Sequence, residues 1–212
     1  MTVTAERTLS TKGRQTRQAI EESARNLFAQ RGFHGTTLTE ITAGAGRSPA
    51  VFYRYFEDKV DLLAALAESF LSEVKDRGMQ GPADDDFFVA VVASYWQMFK
   101  QHIGVMVAVD QLAATQPRFA HVQNEFRRSG MDIISASVRQ AQDRGHAQGL
   151  DADHTGMAIV LLFERFTTVC LRSDATALGV DISDDAAVTT LSTIWKRTLY
   201  GTAEEPTNAE DD

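Results

Sequence analysis

Residues 35–63 read GTTLTEITAGAGRSPAVFYRYFEDKVDLL, and this stretch decides the fold of the N-terminal part of the chain. Thr37, with Glu40 three residues later, has the pattern of a capping box, which predicts a short helix that begins after Thr37. Gly46 is typical of a helix end, and the Ser-Pro pair at 48–49 is typical of the next helix start. The stretch therefore predicts two short helices joined by a tight glycine turn.

The flanking sequence extends this pattern to further helices. An apolar stripe predicts a helix over about Gln15–Arg31 that ends at Gly32, and Asp58 is a suitable cap for a long helix beyond it. A helix, a glycine turn and a short helix form the layout of a helix-turn-helix. In that layout the second short helix enters a DNA major groove, which is about 12 Å wide.

The short helix predicted over 49–56 has distinct inner and outer faces. Val51, Phe52 and Phe56 are expected to pack inward. The positions left to face outward or sideways are Arg47, Ser48, Ala50, Tyr53, Arg54 and Tyr55. Small residues at 48–50 let the backbone approach base edges, an arginine fork suits guanine, and tyrosine hydroxyls and Lys59 can reach phosphates.

These motifs, together with the first helix, span about fifty residues and resemble the DNA-binding signature of the tetracycline-repressor family. The resemblance implies contacts with the DNA backbone or groove by Thr37, Tyr53, Tyr55 and Lys59. It also implies that the residues at or near bases are Thr39, Arg47, Ser48, Pro49 and Ala50.

The sequence departs from the family pattern at two places. Arg47 stands where the family usually has an inward-packed Val or Ile, so a base-reading role and a phosphate contact both stay open. Thr42-Ala43-Gly44 replaces the usual Ala followed by two charged residues, and Gly44 lowers helix propensity.

The rest of the chain also predicts helices, because no segment alternates like a strand. They lie over about 86–102, 105–114, 117–144, 152–172 and 184–200 (the last capped by Ser183), after a Gly-, Pro- and Asp-rich break at 78–86. The fold class is thus all-α, with about nine helices. We expect a DNA-binding domain over 1–57 (ordered from about 14), an effector-binding and dimerisation domain over 58–203, and a disordered acidic tail over 204–212.

The middle helices carry aromatic and methionine side chains that are suited to an apolar effector pocket but equally to a packed core. The predicted pocket residues are Phe70, Tyr95, Trp96, Phe99, Met106, Gln111, Phe126, Phe163 and Phe166. Glu164 and Arg165 interrupt the most apolar helix, which favours a paired state, with the other subunit or with Arg128.

The family resemblance implies a homodimer in which the last two helices pair with their two-fold mates. The apolar residues assigned to this interface are Met157, Leu161, Val188, Leu191, Trp195 and Leu199. An ordinary core is an equally good interpretation for any one of them.

Charge is distributed unevenly along the chain. Lys and Arg number 21 against 29 Asp and Glu, giving a net charge of −8, yet residues 1–56 hold eight basic and four acidic side chains. This indicates a basic binding module on an acidic body. The single cysteine, Cys170, excludes an intrachain disulfide. The N-terminus has no secretory pattern and no apolar run is as long as a membrane span, so we expect a cytoplasmic, nucleoid-associated protein.

Motifs of enzymes and cofactor sites are lacking in the sequence. None of the five histidines has a partner at the i, i+4 spacing of a metal site, and there is no H-E-x-x-H or Walker loop. Ser72–Lys75 fits S-x-x-K without the companion motifs. We therefore expect no enzyme, cofactor or metal, and an architectural DNA binder would need a more basic body.

The predicted function is a ligand-responsive, sequence-specific DNA-binding regulator. We expect a repressor that a lipophilic small molecule releases from a palindromic operator, with a constitutive or activator-type regulator as the alternative.

Overall fold

A computed structural model of the chain describes residues 10–77, 85–172 and 174–201. Within these ranges the chain is helical and contains no strand, which confirms the all-α fold. The helices are α1 (Thr11–Arg31), α2 (Leu38–Gly44), α3 (Pro49–Phe52), α4 (Lys59–Arg77), α5 (Asp85–Ala113), α6 (Pro117–Asp143), α7 (Ala152–Leu171), α8 (Asp174–Ala177) and α9 (Asp184–Tyr200). The predicted acidic tail, and most of the predicted break at 78–86, lie outside the described residues.

Side-chain caps fix several of the helix starts that the sequence predicts. The Asp58 carboxylate accepts from the Asp61 amide at 2.7 Å, and the Ser183 hydroxyl accepts from the Ala186 amide at 3.2 Å. Helix α1 begins four residues before the predicted start, because Ser10 caps it by accepting from the Gly13 amide.

Helix α5 corrects the prediction of two helices over 86–102 and 105–114. One continuous helix passes through Gly104, which lies against the backbone of α1. A Cβ atom at this position would lie 2.3 Å from the Ala29 nitrogen and 2.5 Å from the Phe28 carbonyl carbon. The glycine therefore serves close helix packing and does not end the helix.

The chain divides into two compact units. Unit 1 comprises residues 1–73 and 102–123, and unit 2 comprises 74–101 and 124–212. Large side chains fill the core of each: Phe28, Ile41, Phe52 and Leu62 in unit 1, and Phe88, Trp96, Val138, Phe163 and Trp195 in unit 2. Helices α4, α5 and α6 each contribute residues to both units. The functional boundary after residue 57 stays a prediction, since packing groups the start of α4 with the N-terminal helices.

Candidate nucleic-acid interface and effector site

The start of α2 is built by the predicted capping box. The Glu40 amide donates to the Thr37 hydroxyl at 3.3 Å, and the Thr37 amide donates to the Glu40 carboxylate at 2.9 Å. Arg31 of α1 donates to the same carboxylate at 2.6 Å. These hydrogen bonds, that of the Thr37 amide foremost, lower the pKa of Glu40, so the box holds an anion at the helix N-terminus.

The turn between α2 and α3 closes by two backbone hydrogen bonds around a left-handed glycine. Gly46 has φ +64, its amide donates to the Ala43 carbonyl at 3.0 Å, and the Arg47 amide donates to the Thr42 carbonyl at 2.8 Å. This pairing is a Schellman motif, in which glycine takes the left-handed position. It confirms Gly46 as the end of α2.

Gly44, which the sequence marked only as a departure from the family pattern, is explained by the crossing of α1 and α2. The Ser23 hydroxyl of α1 donates to the Ile41 carbonyl of α2 at 2.9 Å. A Cβ atom at Gly44 would lie 2.4 Å from that hydroxyl oxygen. The small residue therefore makes room for the hydrogen bond that joins the two helices.

Helix α3 is shorter than predicted. Regular α-helix covers only Pro49–Phe52, and the chain continues to Phe56 in tighter turns, with the Tyr55 amide donating to the Phe52 carbonyl at 2.9 Å. Phe52 and Phe56 are buried as expected. Ser48 stands at the N-cap, but its side chain makes no capping hydrogen bond, so the hydroxyl can bond to a partner outside the helix.

Eight of the ten predicted DNA-contacting residues are exposed, and they lie in or next to α2, the following turn and α3. They are Thr37, Thr39, Arg47, Ser48, Pro49, Ala50, Tyr53 and Arg54. Tyr55 is half-buried and packs on the core of unit 1. Residues 41–56 contain no acidic side chain, so nothing within this segment repels a phosphate.

Lys59 is the tenth predicted contact, and its surroundings differ from those of the other nine. Its ammonium donates to the backbone carbonyls of Phe33 and Thr36, both at 2.6 Å, and lies 4.4 Å from the centroid of the Phe33 ring. Burial lowers the pKa of the half-buried side chain. The sequence could not indicate this contact, because the two acceptors are backbone atoms more than twenty residues away.

An aromatic cluster in unit 2 brings together four of the nine predicted effector-site residues. The Tyr95 ring lies 5.3 Å from Phe99 and 5.8 Å from Phe163, and Phe99 lies 5.8 Å from Phe126. The cluster thus joins α5, α6 and α7.

The remaining five predicted residues lie elsewhere. Trp96 is in the core of unit 2, and Phe166 packs against it. Phe70 and Met106 are buried in unit 1. Gln111, also in unit 1, is exposed, which corrects its assignment to a pocket lining.

Two hydroxyl groups inside this cluster lack hydrogen-bond partners. The Tyr95 hydroxyl and that of the fully buried Thr167 are both sequestered from water and unpartnered. Burial raises the pKa of Tyr95, and the Thr167 hydroxyl, which is close to it, lowers that pKa. The geometry between the two hydroxyls is nevertheless not that of a hydrogen bond. A buried polar group without a partner is unfavourable by about 1–3 kcal/mol, which makes these hydroxyls candidates for binding a ligand.

Within its own chain, Glu164 pairs with a different arginine from the predicted Arg128. Its carboxylate accepts from the Nε and Nη2 groups of Arg127, at 2.7 and 2.8 Å. This bidentate pair neutralises the acidic group beside the aromatic cluster. Arg165 is exposed.

Comparison with known proteins agrees with this geometry at both ends of the chain. The family of bacterial regulatory proteins, tetR family, matches residues 20–66. The C-terminal domain family of transcriptional regulator EthR matches residues 88–201, which is more than half of the chain. The chain belongs to the TetR family of transcriptional regulators.

Relatives of this TetR-family regulator span nearly its whole length. It is 25% identical to HTH-type transcriptional regulator EthR of Mycobacterium tuberculosis over 203 residues, or 92% of each chain. It is 27% identical over 165 residues to HTH-type transcriptional repressor KstR2 of the same organism, covering 72% of this chain and 77% of the relative. A transcriptional regulator from Saccharomonospora viridis, solved in complex with choline, superposes with a TM-score of 0.72 at 20% identity over 88% and 98% of the chains.

The residues assigned to the dimer interface fall into two groups. Met157 and Leu161 on α7 are 48% and 43% exposed, and Val188 on α9 is half-buried. The other three residues, Leu191, Trp195 and Leu199, are at most 2% exposed. Their assignment to the interface is wrong, because they fill the core of their own chain.

The exposed face of α7 is unusually apolar. Ala158 and Leu162 extend the stripe of Met157 and Leu161. The helix is long and apolar enough to cross a membrane by length and composition alone, unlike the sequence expectation. A groove of about 450 Å³ adjoins the stripe, lined by Asn124, Arg127, Arg128, Met131, Asp132, Ser135, Asp153, Met157, Val160 and Leu161.

Proposed function

We propose that this TetR-family regulator is a repressor that binds a palindromic operator as a homodimer and is released by a lipophilic small molecule. The observation that carries the DNA-binding part is the exposed N-terminal end of α3. Small side chains at 48–50, an uncommitted Ser48 hydroxyl and the exposed Arg47 guanidinium stand together on it. A helix that presents such an end can enter a major groove. Its site of action is then the cytoplasmic nucleoid.

Selection of DNA from a random pool by the purified protein tests this proposal. We expect inverted repeats whose half-site centres are about 10 bp apart, or a multiple of that if two dimers bind. Ala50→Glu, which places a carboxylate on the exposed end of α3, should abolish selection. Val89→Glu, an exposed position in unit 2, is the matched control and should select the same sequences. Selected sequences without inverted symmetry would contradict the proposal.

The homodimer part rests on the apolar stripe of α7. Four apolar residues on one exposed helix face, next to a groove, are typical of a surface that a partner covers. Members of the family act as dimers, and a second copy of this chain supplies a matching face by two-fold symmetry.

The effector part rests on the aromatic cluster and its two unpartnered hydroxyls. A mostly apolar lining with few polar groups is typical of a small-molecule site. Among the described residues, Arg127 beside the cluster is already paired with Glu164, which disfavours an anionic effector. The site therefore favours an apolar body with a neutral polar group that bonds to Tyr95 or Thr167.

Tyr95→Phe and Thr167→Val test this site, since each removes a hydroxyl and nearly preserves shape. Without ligand, both variants should be as stable as the wild type or more stable, because an unpaired buried group is lost. The response to compounds found by Trp96 fluorescence in a lipophilic library should weaken. By linkage, operator DNA must weaken ligand binding by the same factor by which the ligand weakens operator binding. If no compound lowers operator affinity, the protein is a constitutive regulator.

A further inference from the structure

We infer that Arg118, in the first turn of α6, is a positioning residue for the junction between the reading segment (residues 47–56) and α4. Its guanidinium holds the Asp61 carboxylate where that carboxylate caps the Glu57 amide. The inference rests on the proposed operator binding and adds to it a residue that supports the reading segment from another helix. The sequence does not indicate this role, because Arg118 follows Asp61 by more than fifty residues.

The junction is built by two acidic side chains that cap backbone amides. The Asp58 carboxylate accepts from the Asp61 amide at 2.7 Å, and the Asp61 carboxylate accepts from the Glu57 amide at 3.1 Å. Glu57 directly follows Phe56, the buried residue that ends the reading segment. The Asp61 cap therefore fixes the peptide bond at which the chain leaves that segment and turns into α4.

Arg118 binds the face of α4 on which Asp61 lies. Its Nη1 is 3.6 Å from Asp61 Oδ1, and its Nη2 donates to Glu68 Oε1 at 2.9 Å. Asp61 and Glu68 are seven residues apart, a spacing that places both on one face of a helix. The Asp61 oxygen that faces Arg118 is not the oxygen that accepts from Glu57. The carboxylate thus bridges a cation on one side and a backbone amide on the other.

The packing of α6 holds Arg118 in place. Phe119 and Val122, in the first turns of that helix, are 0% and 5% exposed and belong to the core of unit 1. The backbone at 118 is therefore fixed, and a planar guanidinium fork loses little freedom when it serves two carboxylates. Every residue of this contact lies in unit 1.

The charge of Arg118 also matters to DNA at this junction. Three acidic side chains, Glu57, Asp58 and Asp61, lie within five residues and beside Lys59, a predicted phosphate contact. Arg118 pairs with one of them and so weakens the negative potential that a phosphate meets there. Loss of the guanidinium would release the Asp61 cap and leave its charge uncompensated, and both effects act against operator binding.

Arg118→Gln tests the contact, because it removes the charge and keeps a long polar side chain. Ion pairs at partly exposed sites are weak, so affinity for the operator selected from the random pool should fall by about two- to fivefold. Exchange of the Glu57 amide in the free protein should become faster by a similar factor. Arg139→Gln is the matched control, since Arg139 is also on α6 and pairs with an exposed carboxylate, that of Asp153, at 2.6 Å. It should leave affinity and exchange as in the wild type.

Asp61→Ala separates positioning from direct contact with DNA. If Arg118 acts through Asp61, Arg118→Gln should cause no further loss of operator affinity in the Asp61→Ala background, whereas a guanidinium that binds phosphate itself would cause the same loss in both backgrounds. An undiminished loss in that background overturns the inference. So does an Arg118→Gln variant that matches Arg139→Gln in both measurements. Failure of the wild type to bind any operator would instead contradict the proposed function, and Glu57 exchange in the free protein distinguishes the two.

Discussion

Arg47 is the longest side chain at the exposed start of α3, and it follows the left-handed Gly46 directly. Among the described residues, its guanidinium donates to the carbonyl of Gly46, at 3.0 Å, and its side chain is exposed. A contact with the adjacent residue on the surface is weak, so the planar fork is available to DNA. The unusual arginine in this family position is therefore the best candidate for direct base reading.

Arg47→Ala should relax sequence preference at one position in each half-site. If the fork reads guanine, the loss is about 1–3 kcal/mol for that base pair and close to zero for DNA with another base there. Binding measured against operators varied singly at every position checks this. An equal loss for all the varied operators would assign Arg47 to the DNA backbone.

At the scale of helices, the sequence predicted where a helix begins more accurately than whether it continues through a glycine. Capping residues are local signals, so Thr37, Asp58 and Ser183 could be recognised within a few positions. Gly104 misled the prediction because its reason is distant: the α1 backbone lies where a side chain would be. Some residues assigned to the dimer interface or the pocket are core residues for the same reason. An apolar stripe in the sequence does not identify the element that packs against it.

Gly104→Ala should destabilise the protein, although alanine is by itself the better helix former by about 1 kcal/mol. The added methyl group would overlap with backbone atoms of Phe28 and Ala29, which cannot move without shifting α1. We expect a loss of about 1–3 kcal/mol or more in the free energy of unfolding, measured by urea denaturation.

Gly130→Ala is the control for Gly104→Ala. Its added Cβ would meet the two methyl groups of Val160, at 3.1 and 3.8 Å, and a side chain can adjust. This variant should lie within about 1 kcal/mol of the wild type. Equal effects of the two substitutions would contradict the role assigned to Gly104.

The N-terminus of α9 is held to α5 by Asp184, and this contact is sensitive to pH. Asp184 accepts from Lys100 and from the buried Trp96 indole at 3.0 Å, and these bonds lower the pKa of its carboxyl group. A carboxyl group whose pKa is lowered by folding stabilises the folded state at any pH above its unfolded-state pKa, which is about 4. This stabilisation is lost as the pH falls through the folded-state pKa. Because the pair with Lys100 is largely exposed, we expect only about 0.2–1 kcal/mol from it.

Asp184→Asn should flatten part of the acid side of the stability curve, since the amide oxygen still accepts from Trp96 but no longer titrates. Asp184→Ala should cost about 1–3 kcal/mol, because it leaves the buried indole N–H unpaired. Urea midpoints between pH 3 and 7 measure both effects. An Asn variant with the wild-type pH dependence would exclude Asp184 as the titrating group.

At the scale of the whole molecule, the uneven charge and the apolar face of α7 fit one arrangement. A basic N-terminal segment suits DNA, whereas an acidic body does not attract DNA elsewhere.

Replacing Met157 and Leu161 together with glutamate should give monomers in sedimentation, because the carboxylates would be buried unpaired against the partner. A monomer offers one half-site contact instead of two, so its operator affinity should fall much more than its melting temperature. Val89→Glu tests whether any added surface charge has this effect, and it should remain dimeric. A dimer that survives the double substitution would place the interface on another face of the chain.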